Sequence, residues 1–218
     1  FSFGRGKPLN IMHGGLLATK SEEVYGEAKN VYEGLDECSR YQNMNYCVSL
    51  SLYSLFSNPY LYWLTQMVPC LNLGGTVFEP EFEISRGLGA AASLASVMVD
   101  KIEEENSIRR ENSKWYSDNL REICPAERRI AGEYPYLRYP LLIADTKKRT
   151  KILDMLVSKG TGASGSYPKP LNELPGLNER MKDNTIYKNA KIMAKSIITL
   201  PVHSRVAELD RENIRNII

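Results

Sequence analysis

The sequence predicts a mixed α/β fold, with α/β or α+β layering left open. Three observations carry this. From residue 136 onward, strand-like and helix-like runs alternate. Residues 85–123 hold a long apolar stripe at spacings of three and four. Residues 1–3 and 16–19 read as short strands around a glycine-rich segment. With 218 residues, 43% hydrophobic and 25% charged, the chain can bury a sizeable core in one large domain or two small ones. Collagen-like repeats, low-complexity disorder and a disulfide scaffold are excluded on composition.

Taken in order, Ser21 is the predicted N-cap of a first helix, with Glu22 and Glu23 suited to its first turn. From Tyr41 to Phe78 no residue is charged. Ser49, Ser51, Ser54, Asn58 and Pro59 interrupt this stretch, so no run reaches the ~20 apolar residues of a spanning helix. Two short helices are expected instead, near 46–57 and 59–68. Asn58 would cap the second, Pro59 would start it and Pro69 would end it. The pair would rest on a partner subunit or on a membrane surface as a peripheral contact through 46–68.

Ser85 is read as the cap of a long helix. Leu88, Ala91, Ala95, Met98 and Ile102 form its apolar stripe, and Tyr116, Leu120 and Ile123 resume the phase. The charged stretch from Glu103 to Lys114 lies between, a pattern typical of a helix bridging two domains. Residues 136–144 are strand-like, with Pro140 marking an edge or bulge. Asp145 or Thr146 would cap a helix to about Ser158, and Gly160, Gly162 and Gly165 punctuate a loop. A helix over 184–195, a strand over 197–200 and a final helix over 208–218 complete the pattern.

Net charge is only +2, less than a dedicated nucleic-acid binder carries, so no nucleic-acid partner is expected. The charge is uneven. Residues 1–100 hold 6 basic and 10 acidic side chains, and residues 101–218 hold 22 and 16. This gives the second half a mild attraction for anions. Cys38, Cys47, Cys70 and Cys124 form no C-x-x-C pair, and His13 and His203 are the two histidines, so no metal site is expected. Free buried thiols fit a reducing cytosol, and no apolar leader is visible at the N-terminus; a cytoplasmic protein is the expectation.

Residues 2–15 carry the chemistry. Lys7 follows Gly4 and Gly6, which let a ligand approach the backbone, and precedes Pro8, which holds Lys7 extended. Ser2 and neighbouring backbone amides can hold a phosphate. An aimed amine beside a phosphate site is what pyridoxal 5′-phosphate (PLP) chemistry needs, because the amine forms an imine with the cofactor aldehyde while the phosphate anchors the ring. The segment is no Walker A loop, lacking its first glycine and the Ser/Thr after the lysine.

Ser2-Phe3, Lys7 and Gly14-Gly15 resemble in register the lysine motif of the DegT/StrS-type sugar aminotransferases. That motif reads Ser-Phe, three residues, Lys, six residues, Gly-Gly. The resemblance continues at Leu88 with Ala90-Ala91, at Trp115-Tyr116, at Ser166-Tyr167-Pro168-Lys169-Pro170-Leu171-Asn172 and at Leu200-Pro201-Val202-His203. It implies a PLP-dependent transferase of fold type I. Residues 1–122 would be the end of the PLP-binding large domain, with an insertion at 41–78 and a bridging helix at 85–122. Residues 123–218 would form the small α/β C-terminal domain. It also implies roles. Lys7 would hold the cofactor and shuttle the proton between substrate carbon and cofactor. Ser2 would bind the cofactor phosphate, with Asn10 reaching the site. Tyr167 would lie at the substrate mouth; Arg5 would supply the positive charge that keeps the Lys7 amine neutral and would bind substrate. The implied reaction moves an amino group from an amino acid to a nucleotide-linked keto-sugar, in a homodimer.

Several positions depart from the family pattern. His13 replaces the usual Glu before Gly-Gly, and Ser166 replaces the His before Tyr-Pro. An Asn-x-Arg element expected near Phe82 to Ile84 is absent, and the 41–78 stretch is longer than in similar proteins. The Asp and aromatic that meet the cofactor ring lie upstream of the lysine in the family, so this chain is similar to the C-terminal portion of such enzymes. The alternatives are a non-catalytic fragment or inactive partner subunit of the same fold, and a PLP-dependent sugar dehydratase. That branch replaces the lysine by His, and Lys7 therefore favours transamination.

Overall fold

The computed structural model describes residues 1–4, 6–56, 84–120, 134–167, 169–182 and 185–218. The described residues up to Ile102 form one compact unit and those from Glu103 onward a second. The sequence reading placed its boundary further along, at 122.

In the first unit, α1 (Glu22–Glu33) starts where predicted: Ser21 accepts a hydrogen bond from the Val24 amide at 3.3 Å, and Glu22 and Glu23 sit in the first turn. Helix α2 (Arg40–Phe56) begins six residues before the expected 46. The reason is a reciprocal cap. Ser39 Oγ accepts from the Gln42 amide at 3.2 Å, and Gln42 Oε1 accepts from the Ser39 amide at 2.7 Å. The expected helix at 59–68, with Asn58, Pro59 and Pro69, lies outside the described residues. Helix α3 (Gly89–Met98) starts after Leu88, without a side-chain cap, so Ser85 is not the cap expected of it. Its apolar stripe is used as foreseen: Ala91 is buried, and Leu88, Leu94, Ala95 and Met98 pack on the cluster of Ile11, Tyr46 and Ala91. A 3₁₀ turn (Val99–Lys101) then separates α3 from α4 (Ile102–Asn119), so the single long helix is two. Two β-branched residues stand at the break, Val97 before it and Val99 as its first residue, and a short 3₁₀ turn is where such weak helix formers are accommodated.

The expected strands at 1–3 and 16–19 reduce to a single antiparallel bridge, Ser2 with Gly15, and Leu16 and Leu17 are exposed. Of the cysteines described, both are free thiols. Cys47 is exposed and Cys38 half-buried, with Sγ 2.9 Å from the Arg86 carbonyl, so neither is the buried thiol expected. Among the described residues no helix is long and apolar enough to cross a membrane, and no cluster of His, Cys, Asp or Glu could hold a metal.

The second unit is built on β1 (Tyr139–Leu142) paired antiparallel with β2 (Ile197–Leu200). On the other side of β2, Ser164 forms a bridge with Thr199, which leaves Pro140 on the outer strand, as the missing amide requires. Helix α5 (Thr146–Ser158) is capped by Asp145, whose carboxylate accepts from the Lys147 and Lys148 amides. Gly160 and Gly162 take φ of +64° and +73° in the loop that follows. After a short α6 (Leu177–Met181), α7 (Lys188–Ser196) and α8 (Glu208–Ile217) close the unit. Tyr116 of α4, Leu120 just after it, both strands, Ile152 and Leu156 of α5, Val202 after β2 and Ile214 of α8 form one core.

Buried and half-buried cations hold this core to the backbone. Arg109, 5% exposed, donates to the Leu137 carbonyl at 3.0 Å and pairs with Glu105 at 3.3 Å. Arg149 donates to the Ile197 carbonyl at 2.7 Å, and Arg138 donates to Thr199 Oγ1 at 2.8 Å. Asn112 donates to the Val202 carbonyl at 3.1 Å and accepts from Arg211, whose guanidinium stacks 5.4 Å over the Trp115 ring. Part of the second half's positive charge is therefore structural rather than a surface for anions.

His203 sits in this frame with Nδ1 accepting from the Arg205 amide at 3.3 Å, which requires the neutral ring. Burial is the main cause holding its pKa below the usual imidazole value. Arg109, Arg138 and Arg205 act in the same sense, and Glu105 opposes them. The unfolded chain therefore binds a proton at His203 at a pH where the folded chain does not. Stability is complete above pH ~6.5 and falls as pH drops below it. One site gives at most about 1.4 kcal/mol per pH unit, and less for a half-buried ring. Urea unfolding across this range should show the slope in the wild type and a flatter profile in His203→Gln.

Candidate active site

The lysine-bearing segment folds as a loop fastened at its stem. The Phe3 amide donates to the Gly14 carbonyl at 3.1 Å, the Ile11 amide to the Phe3 carbonyl at 3.1 Å, and the Leu16 amide to the Phe1 carbonyl at 2.8 Å. Ile11, 2% exposed, and the partly buried Phe3 anchor the stem in the apolar cluster of the first unit. Lys7 lies midway between Phe3 and Ile11, half-buried, with its amide donating to the Gly4 carbonyl at 3.3 Å. Gly6, beside it, takes φ +77°, a left-handed conformation that other L-residues adopt at a cost.

The double glycine has a steric reason. Gly14 takes φ +81°, and a Cβ on Gly15 would lie 2.7 Å from the Phe1 carbonyl oxygen. Gly15→Ala should therefore push the bridge apart, at a cost of about 1–3 kcal/mol. Hydrogen exchange at the Phe3 and Ile11 amides should accelerate, while exchange in the second unit stays unchanged.

Ser2 is exposed, and its Oγ accepts from the Gly4 amide at 3.3 Å. The bond leaves the hydroxyl hydrogen to donate outward, as a phosphate oxygen requires. Asn10 is half-buried and engaged on both sides of its amide. Nδ2 donates to Tyr53 Oη at 3.1 Å, and Oδ1 accepts from the Met12 amide at 3.1 Å. Lys7, Ser2 and Asn10 thus share one loop. Arg5 lies outside the described residues, as do Phe82 and Glu83.

Tyr167 belongs to the second unit. It is 64% exposed and takes φ +56°, uncommon for a bulky residue. The residue before it is tied down, with the Ser166 amide donating to Ser164 Oγ at 3.2 Å and Ser166 Oγ 3.0 Å from Thr199 Oγ1. Asn172, in the same motif, donates to the Thr185 carbonyl at 2.9 Å. Sequence reasoning missed two residues of the first unit. Tyr46 and Tyr53, both on α2, contact the lysine loop directly: Tyr46 Oη donates to the Ile11 carbonyl at 2.9 Å, and Tyr53 meets Asn10. Their spacing of seven residues, in a stretch without charge, was the available signal.

A sequence profile of the DegT/DnrJ/EryC1/StrS aminotransferase family matches residues 88–218, more than half of the chain. The chain belongs to the DegT/DnrJ/EryC1/StrS aminotransferase family. Solved structures share its fold. One is PseC of Helicobacter pylori, described as an aminotransferase involved in the biosynthesis of pseudoaminic acid. It is 19% identical, the match covers 66% of this chain and 41% of that one, and the TM-score is 0.52. Another is the aminotransferase TlmJ of Streptoalloteichus hindustanus, at 23% identity, 63% and 39% coverage and a TM-score of 0.52. A third is Spr1654 of Streptococcus pneumoniae in its PLP-form, at 22%, 65% and 37%, with a TM-score of 0.52. The chain spans about two fifths of the length of these structures. No curated protein sequence matches. The mixed helix-and-sheet fold of this DegT/DnrJ/EryC1/StrS member is that of part of the PLP-dependent sugar aminotransferases, as the resemblance implied.

Proposed function

We propose that this chain contributes Lys7 to PLP-dependent amino transfer from an amino acid to a nucleotide-linked keto-sugar. The observation that carries the reading is the loop itself. Lys7 is held half-buried between Gly6 and Pro8, on a loop closed by backbone bonds, with the Ser2 hydroxyl on the same stem. The donor set fits the cofactor: a primary amine for its aldehyde and an outward-facing hydroxyl for its phosphate. PLP, when bound, supplies a carbonyl that exchanges amines and a ring that accepts electrons.

The chain's own residues do the rest. Ser2 Oγ donates to the phosphate while the Gly4 amide fixes its orientation. Asn10 has a second Nδ2 hydrogen to offer the cofactor, the first being directed to Tyr53. Lys7 Nζ would be the attachment point, and once released it would take the proton from the donor's α-carbon and pass it to the cofactor carbon that bears the nitrogen. Tyr167 and Arg5 contact the sugar substrate. The protein works in the cytoplasm as a homodimer. An exposed stripe on α2, Met44, Val48, Leu52 and Leu55 at spacings of four, four and three, supports a surface covered by a second copy or by a peripheral membrane contact.

The test is label transfer. Incubated with PLP, ¹⁵N-glutamate and a nucleotide-linked keto-sugar, the full chain should place ¹⁵N on the sugar. Loss of a sugar hydroxyl without ¹⁵N incorporation would mean the dehydratase. No change in either substrate would mean the non-catalytic partner.

A further inference from the structure

We propose that Tyr53 and Tyr46 of α2 are positioning residues for Lys7. Two turns apart on one helix, they face the same way and grip consecutive residues of the lysine loop. Tyr46, 5% exposed, donates its hydroxyl to the Ile11 carbonyl at 2.9 Å. Tyr53 accepts from Asn10 Nδ2 at 3.1 Å. The Asn10 side chain in turn takes the Met12 amide and supports the left-handed φ of +64° at Met12. His13 completes the grip, its ring edge-on to Tyr46 at 6.1 Å between centroids.

Between this grip and Lys7 lie only Pro8 and Leu9. Pro8 has a fixed φ, and Leu9 is buried at 7% exposure. The link is short and stiff, so a shift of α2 or loss of a hydroxyl is passed to Lys7 rather than absorbed. The other end of the loop is tied at Phe3, through the Ile11 amide. Both tyrosines lie in the charge-free stretch that begins at Tyr41, and they give this chain a means of aiming the amine. The inference rests on the reading of Lys7 as the attachment amine, and the experiment separates the two.

Full-length wild type, Tyr53→Phe, Tyr46→Phe, Asn10→Ala and the Asn10→Ala/Tyr53→Phe double variant are labelled under native conditions with formaldehyde and cyanoborohydride. Peptide mass mapping gives the rate at Lys7 relative to the exposed Lys20. A general loss of stability would alter both lysines; a positioning role alters the ratio. Loss of one hydrogen bond should move the ratio about threefold to fivefold. The double variant should show no more than Asn10→Ala, since that substitution already removes the bond that Tyr53→Phe removes. Tyr46→Phe reaches a buried hydroxyl, and Tyr53→Phe and Asn10→Ala carry the test should it fail to fold. In parallel, borohydride-fixed pyridoxyl at Lys7 after PLP treatment should change in the same variants. A shifted ratio in a wild type that takes no pyridoxyl at Lys7 would sustain the positioning role and overturn the cofactor reading. A ratio unchanged in both Tyr53→Phe and Asn10→Ala would overturn the positioning role.

Discussion

On the proposed role of Lys7, Lys7→Ala is expected to lower amino transfer by at least about a thousandfold, because one substitution would remove both the attachment amine and the group that moves the proton. The fold should survive. Lys7 enters the loop through its backbone, whose amide meets the Gly4 carbonyl at 3.3 Å, and alanine keeps that bond. Lys7→Arg sharpens the result, since a guanidinium keeps the charge but remains protonated and does not condense with an aldehyde at neutral pH. The two variants should be equally inactive and equally folded by circular dichroism. Activity retained in Lys7→Arg would mean that charge, not the amine, is what the loop supplies.

The largest expected effect on stability is at Tyr116. Its side chain is fully buried, its ring lies 5.4 Å from that of Tyr139 and 5.6 Å from that of Trp115, and its hydroxyl donates to the Pro201 carbonyl at 3.2 Å. Burial pushes the phenol pKa far above its usual value, with Arg211 and Arg138 opposing and Asp210 adding. The hydroxyl is therefore a neutral donor at any working pH. Tyr116→Ala leaves a cavity at the centre of the second unit and should cost about 3–5 kcal/mol in urea unfolding. Tyr116→Phe removes only the bond to Pro201 and should cost about 1 kcal/mol. Similar losses from both would mean that the hydroxyl, not the packing of the ring, carries the residue's contribution.

Local chemistry was readable where a short polar side chain sets an element's start. Ser21 and Asp145 cap their helices as expected, and Pro140 lies on the outer strand. The Ser39–Gln42 pair was equally readable, but the apolar run from Val48 drew the helix start inward. The break at 99–101 was hidden because the apolar phase runs through it from Met98 to Ile102. Periodicity reports which face is apolar, not whether each hydrogen bond spans three residues or four. In the lysine loop the double glycine was legible because backbone conformation and residue type are coupled there: Gly14 needs its left-handed φ and Gly15 its missing Cβ. Tyr46 and Tyr53 were not. Their contacts join positions 35 and 43 residues apart, and no local rule couples them. Arg109 and Arg149 were hidden for a related reason, as a guanidinium that answers backbone carbonyls looks in sequence like surface charge.

The account turns on one amine. Incubation of the full chain with PLP, reduction with borohydride and peptide mass mapping would locate any pyridoxyl group among its lysines. The account predicts the label on Lys7, absent from Lys7→Ala and displaced from the wild type by excess glutamate before reduction. Label spread over exposed lysines such as Lys20 and Lys29, with Lys7 unmodified, would contradict it.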